Sequence, residues 1–126
     1  MKKVEAIIRP EKLNAVKDAL VEGGSVGLNT VSVTGRGAQR GIVHQGRSGQ
    51  SIAMDMLPKT KMELVVGDGD AETVCDIIIE AARTGEIGDG KIFISNVEEV
   101  IRVRTGERGR RRYSLCLIRG PGVFPV

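Results

Sequence analysis

The sequence predicts an α+β fold in which four strands and two helices follow in the order β-α-β-β-α-β. Three observations carry that expectation. Short runs rich in β-branched residues alternate with two stretches whose apolar residues recur at helical spacing. Glycine pairs, prolines and aspartates punctuate the boundaries between them. The chain has 126 residues, the length of one domain, and such a domain buries roughly two thirds of the surface its unfolded form exposes.

Residues 3–9 (KVEAIIR) read as the first strand. Pro10 suits the first turn of a helix, where its missing N–H is not needed. Leu13, Val16, Ala19 and Leu20 then form one apolar stripe, and Gly23-Gly24 ends the helix. Residues 29–35 (NTVSVTG) form a second strand with Val31 and Val33 on one face. Residues 35–55 are dominated by Gly, Ser, Gln and Arg and keep no apolar period, so they are expected to be a long loop without regular structure, of the kind that is often functional. After Pro58, residues 59–66 (KTKMELVV) set Met62, Leu64 and Val66 against Lys61, Glu63 and Val65, which is a third strand. GDGD at 67–70 offers a turn, with Asp70 as N-cap of a second helix carrying Val74, Ile77, Ile78 and Ala81, and Gly85 as its C-cap. EIGDG turns the chain into KIFIS, the fourth strand, followed by VEEVIRVR. This order is the split βαβ, ferredoxin-like sandwich, a four-stranded antiparallel sheet with both helices on one face. The other face is left open, and an apolar content of 40% favours covering it by self-association.

Composition excludes several classes. Phe93, Tyr113 and Phe124 are the only aromatic residues, so the core must be aliphatic. The net charge is +3, and much of the basic excess falls in the C-terminal stretch that contains Arg110-Arg111-Arg112. Cys75 and Cys116 form no CxxC and have only His44 as company, so they read as reduced thiols rather than a metal site. The charged start (MKKVEAIIRPEK) is neither a signal peptide nor a membrane span, and a cytoplasmic protein is expected. His44 has no acid partner nearby, Glu63, Asp89, Glu98 and Glu99 make no recognisable acid/base pair, and GxSxG is absent. The expectation is a protein that is not an enzyme.

Two glycine clusters stand out. Gly35 and Gly37 end the second strand, and Gly88 and Gly90 precede the fourth. Glycine lets backbone N–H groups approach a phosphate closely. Neither cluster is a Walker loop or a GxGxxG, and each alone is an ordinary turn. With Lys59, Lys91, Arg102 and Arg104 near strand ends, together they could neutralise a polyphosphate.

The segments LPKTKMELVV (57–66) and AARTGEIGDGKIFISNVEEVIRVRTGER (81–108), with RP at 9–10 and TGRGAQRG at 34–41, closely resemble the nitrogen regulatory PII signal-transduction protein family. The resemblance covers residues 1–108, and its second segment is highly specific. It implies a ferredoxin-like homotrimer that binds ATP or ADP in clefts between subunits and 2-oxoglutarate beside ATP through Mg²⁺. It also implies a mobile T-loop, here residues 36–56, that docks on an ammonium transporter or nitrogen-assimilation enzymes. By the same resemblance, Ile7, Gly35, Gly37, Gln39, Glu63 and Val65 match the nucleotide side contributed by one subunit. Gly27, Asn29, Gly88, Asp89, Gly90, Lys91, Arg102 and Arg104 match the rest of the cleft, several of them expected from the neighbouring subunit. Arg36 and Ala38 fall in the same stretch and count among the nucleotide contacts. Lys91, Arg102 and Arg104 would neutralise phosphates. Gln39 would ligate Mg²⁺ and face 2-oxoglutarate, with Lys59 pairing a 2-oxoglutarate carboxylate or, without that ligand, approaching the nucleotide phosphates, and Gly88 completing the 2-oxoglutarate set.

The chain departs from the family pattern in three places. The loop has no tyrosine, so uridylylation of a loop tyrosine, near Ser51 or Ile52 here, is chemically excluded; Ser48 and Ser51 keep hydroxyls of the kind some members phosphorylate. Ala38 replaces a basic residue, removing a charge-assisted hydrogen bond of roughly 1.5–3 kcal/mol unless Arg36 or Arg40 compensates. Residues 109–126 (GRRRYSLCLIRGPGVFPV) extend past the family's end, and their Gly, Pro and Arg content predicts a flexible basic tail. The alternative reading is a nucleic-acid-binding module of the same topology using that tail. Such modules stack bases on sheet aromatics, and only Phe93 is available here. An acylphosphatase-type enzyme also shares the topology, but its Arg and Asn phosphate cradle is not found.

Overall fold

Alternation along two strands sets the architecture. In β1 (Lys2–Ile8), Val4, Ala6 and Ile8 are buried while Lys3, Glu5 and Ile7 are not. A computed structural model describes residues 1–25, 27–37, 43–45, 51–53 and 56–108, the two triplets for their backbone only. After β1, a 3-10 turn over Pro10–Lys12 runs into α1 (Leu13–Glu22). The Gly23-Gly24 stop works as expected. Gly24 takes φ +92, so that Ser25 N–H reaches the Leu20 carbonyl at 2.8 Å and Gly24 N–H the Val21 carbonyl at 3.0 Å.

β2 (Asn29–Gly35) follows, then two short strands, β3 (Val43–Gln45) and β4 (Ser51–Ala53). These pair antiparallel, His44 opposite Ile52, as a separate two-stranded sheet. The sequence led us to expect no regular structure here; three-residue strands are too short to display a period.

β5 (Leu57–Val66) begins two residues earlier than expected and includes Pro58. It pairs with β2 along its whole first half, but with β1 only from Thr60 onward. Pro58 therefore sits where β5 has no partner on the β1 side, a place that tolerates a missing N–H.

A 3-10 turn over Asp68–Asp70 leads into α2 (Ala71–Ala82). Asp70 occupies the N-cap position, but its side chain makes no cap bond. Its backbone is already helical, because the preceding turn feeds straight into the helix. Gly85 is not the C-cap either; the helix ends at Arg83, whose extended backbone leads the chain away. β6 (Gly90–Asn96) completes a sheet of order β2-β5-β1-β6, every neighbouring pair antiparallel. Four antiparallel strands with two helices make an α+β fold of the ferredoxin-like kind.

The core lies between sheet and helices. Val4, Ala6, Ile8, Met62, Leu64 and Val66 meet Val16 and Leu20 of α1 and Val74, Cys75 and Ile78 of α2. Each large member contributes about 1.5–3 kcal/mol by burial. Among the described residues no aromatic ring takes part; Phe93 lies on the opposite face and is half exposed. That face carries a charge ladder instead. Glu5 stands directly across from Glu63, with Lys3 Nζ at 2.9 Å from Glu5 and 3.6 Å from Glu63, and Lys61 Nζ 3.3 Å from Glu63.

Candidate functional site

At one end of the sheet the strands open into a cleft of about 450 Å³. Its walls are Ile7 from β1, Gly35, Arg36 and Gly37 at the exit of β2, Leu57 and Lys59 from β5, and Ile87, Gly88, Gly90, Lys91 and Phe93 from the turn into β6. Strand register explains this company. Ile7 is the cross-strand partner of Lys61 on one side and Lys91 on the other, while Val33 faces Lys59 and Gly35 faces Leu57. Directly opposed residues share one face of a sheet, so these side chains emerge on the face away from the helices.

Gly90 is fixed by close approach. It adopts φ +108, and a Cβ there would lie 1.7 Å from the Ile7 carbonyl oxygen. Only glycine lets β6 start this near β1.

The turn from Thr84 to Gly90 is held from three sides. Lys59 Nζ donates to the Gly88 carbonyl at 2.6 Å. Arg9 donates to the Ile87 carbonyl at 2.9 Å and, through Nε, to Asp89 Oδ1 at 3.1 Å. The Asp89 carboxylate also accepts from the Thr84 hydroxyl and from the N–H groups of Thr84 and Gly85, the latter two at 2.9 Å. The Thr84 hydroxyl, then the two backbone donors and Arg9, hold the Asp89 carboxyl far below the usual carboxylate range, against the opposing effect of burial. Lys59 moves the other way for its type: burial, and then the Arg9 charge, lower its pKa, with Glu11 and Asp89 opposing.

This combination has a definite chemistry. Lys59 is a partly desolvated cation whose charged form its surroundings disfavour, so an anion entering the cleft would relieve it. Lys91 and Arg36 line the same space, and Gly35 and Gly37 have little or nothing beside their Cα atoms: among the described residues, a Cβ at Gly35 would touch only Lys59, and one at Gly37 nothing within 4 Å. Ile7, Leu57, Ile87 and Phe93 supply an apolar floor. The lining suits a ligand that is anionic at one end and flat and apolar at the other.

Of the residues singled out in the sequence, Ile7, Gly35, Arg36, Gly37, Lys59, Gly88, Gly90 and Lys91 meet in the cleft. Asp89 is adjacent but turned into the network beneath it. The grouping differs from the one the sequence suggested, because Gly88, Gly90 and Lys91 join Ile7 on the same chain. Glu63 and Val65 do not. Glu63 is paired with Asn29 and stands two positions beyond Lys61, the partner of Ile7, outside the cleft lining; Gly27 lies just before Asn29. Arg102 and Arg104 lie in a turn closed by a bridge between Ile101 and Arg108, outside the cleft lining. Ala38 and Gln39 lie outside the described residues, as do the hydroxyls of Ser48 and Ser51 and the tail from 109 to 126.

Four lining or supporting residues were not assigned to the cleft from the sequence. Phe93 follows Lys91 at the strand period and could have been placed on the same face. Leu57 and Ile87 depend on register and turn geometry. Arg9 meets a partner 80 positions away, for which the sequence carries no local signal.

Comparison with known proteins places the chain firmly. The family model described as nitrogen regulatory protein P-II matches residues 1–107. The chain is 54% identical over 111 residues to nitrogen regulatory protein P-II 2 of Methanothermobacter thermautotrophicus, covering 88% of this chain and 96% of that one. It is 57% identical over 108 residues to nitrogen regulatory protein P-II of Nostoc punctiforme, with 86% and 96% covered. It is also 54% identical over 109 residues to the protein of that name from Rhizobium meliloti, with the same coverage.

Proposed function

The chain belongs to the nitrogen regulatory protein P-II family, and we propose that it is a cytoplasmic signalling protein that reads adenine nucleotide and 2-oxoglutarate through the cleft. The observation that carries this reading is the convergence of Lys59, Lys91, Arg36 and the Gly35, Gly37, Gly88 and Gly90 backbones around an apolar floor. A nucleotide places its base against Ile7 and Phe93 and its phosphates toward the cations and glycines. 2-Oxoglutarate, a dicarboxylate, pairs with Lys59 at the mouth, and Gln39 would help to hold Mg²⁺, which would supply positive charge between the two anionic ligands.

The two separated sets of residues support assembly. Asn29, Glu63 and Val65 lie further along the same sheet from Gly35 and Lys59 and outside the cleft lining, and this reading gives them to the cleft of a neighbouring subunit. In a homotrimer the far end of one subunit, with Gly27, Arg102 and Arg104, completes the cleft of the next. The exposed Val31 and Phe93, half accessible on the open face, then become buried.

Regulation follows from where the cleft sits. Gly35, Arg36 and Gly37 are both cleft wall and the root of residues 36–56, the T-loop of this reading. A ligand that binds one arrangement of that root more tightly shifts the loop toward it, by no more than its differential affinity. The loop then meets its target, an ammonium transporter or an enzyme of nitrogen assimilation. With no tyrosine available there, occupancy of the cleft rather than uridylylation sets the output. Residues 1–108 form the signalling domain and 109–126 a basic extension.

Calorimetric titration with Mg-ATP, with and without 2-oxoglutarate, tests the reading. Nucleotide should bind alone, and 2-oxoglutarate only when Mg-ATP is present. Absence of any nucleotide heat at millimolar concentration rules the reading out, and tight binding of an oligonucleotide in its place would favour the nucleic-acid alternative.

A further inference from the structure

We propose that Asp89 is a positioning residue: through Arg9, Thr84 and Gly85 it fixes the backbone of the cleft wall and does not itself touch the ligand. The inference rests on the nucleotide reading above and gives one of its residues a different task. Both carboxylate oxygens are already engaged. Oδ1 accepts from Arg9 Nε and from the Thr84 hydroxyl, and Oδ2 accepts from the N–H groups of Thr84 and Gly85. Asp89 lies between Gly88 and Gly90, both of which line the cleft, yet it does not line it. Its side chain is three-quarters buried, and that of Arg9 more so.

The arrangement has a mechanical consequence. Gly88 and Gly90 both take positive φ, at +104 and +108. Such a glycine-flanked turn has many accessible conformations, and ordering it on binding carries an entropic cost. Asp89 removes that freedom before any ligand arrives, since it ties the turn back on itself at Thr84 and Gly85 and across to Arg9 at the end of β1. Arg9 then holds the Ile87 carbonyl as well, so its cation links the two flanks of the cleft wall. A wall ordered in advance binds an anion without the ordering cost.

A double-mutant cycle on the full chain tests this. Wild type, Arg9→Ala, Asp89→Asn and the double variant are titrated with ADP. Amide hydrogen exchange at Thr84 and Gly85 is measured with no nucleotide present. In ligand-free Asp89→Asn both amides should exchange at least about tenfold faster. ADP affinity should fall roughly tenfold in each single variant, and no further in the double variant than in the weaker single one, because the pair acts as a unit. Multiplying losses, or weakened ADP with unchanged exchange at Thr84 and Gly85, would assign Asp89 to ligand contact and overturn the proposal. Unchanged ADP affinity in both single variants overturns it too. Should Asp89→Asn fail to fold, Thr84→Val, which removes the hydroxyl that donates to Asp89 and accepts from the Glu86 N–H, carries the same two readouts. If wild type binds no ADP, the nucleotide reading fails separately, and the exchange data alone decide whether Asp89 orders the turn.

Discussion

The two faces of the sheet are made by the same strands and do opposite things. Toward the helices, Val4, Ala6, Ile8, Met62, Leu64 and Val66 are closed to solvent. One residue along each strand, Lys3, Glu5, Ile7, Lys61 and Glu63 form a charged, partly apolar surface that ends in the cleft. The strand period of two thus separates stability from recognition within a single seven-residue segment. The helix face tolerates little change in shape, whereas the open face tolerates changes of charge that alter binding and leave folding nearly untouched.

Substitutions sharpen that contrast, and the largest effect is expected where the two faces share backbone. Gly90→Ala drives a Cβ into the Ile7 carbonyl and should cost at least about 4 kcal/mol in denaturant unfolding. A loss below 1 kcal/mol would mean that β1 and β6 separate easily. On the helix face, Leu20→Ala empties a fully buried site and should cost about 3 kcal/mol, with nucleotide affinity little changed for the folded fraction. On the open face, Lys59→Ala should weaken 2-oxoglutarate at least tenfold, about 1.4 kcal/mol, and ADP much less. Its unfolding free energy should stay within about 1 kcal/mol of wild type; equal loss of both ligands would contradict the role given to Lys59.

Asp89 gives a pH signature. Its folded pKa is depressed, so its stabilising contribution is complete above the unfolded value of about 3.9 and disappears as pH falls through the lower folded value. Asp89→Asn should therefore flatten the acid limb of the stability profile below about pH 4, and an unchanged limb would argue against the network. The smallest change belongs to an exposed pair. Arg108 and Glu99 meet at 3.1 Å with side chains 62% and 46% accessible, and Glu99→Gln should shift stability by less than about 1 kcal/mol.

Much of this contrast was legible in the sequence. Met62, Leu64 and Val66 alternating with Lys61, Glu63 and Val65 declare both the strand and its two faces, and Gly23-Gly24 marks a helix end that the backbone obeys. The expected caps at Asp70 and Gly85 failed because neighbouring turns, rather than the residues themselves, decide the local backbone. The β3–β4 pairing was hidden by its brevity. In the cleft, the glycines and lysines announced themselves by type. The Arg9–Asp89 link did not, since a contact across 80 positions arises only when β1 and the α2–β6 turn are brought together. For the same reason the division of the candidate site into two separate sets, Gly35 with Lys59 and Asn29 with Glu63, emerges only from the register of β2 on β5.

The central claim is that the cleft at the open end of the sheet receives the nucleotide. Amide chemical-shift mapping of the full chain during ADP titration tests it most directly. The account predicts saturable shifts at Ile7, Gly35, Gly37, Gly88, Gly90 and Lys91, with Val16, Val74 and Ile78 on the helix side unmoved. Saturable shifts confined to the helices or the basic tail, with the cleft amides silent, would contradict it.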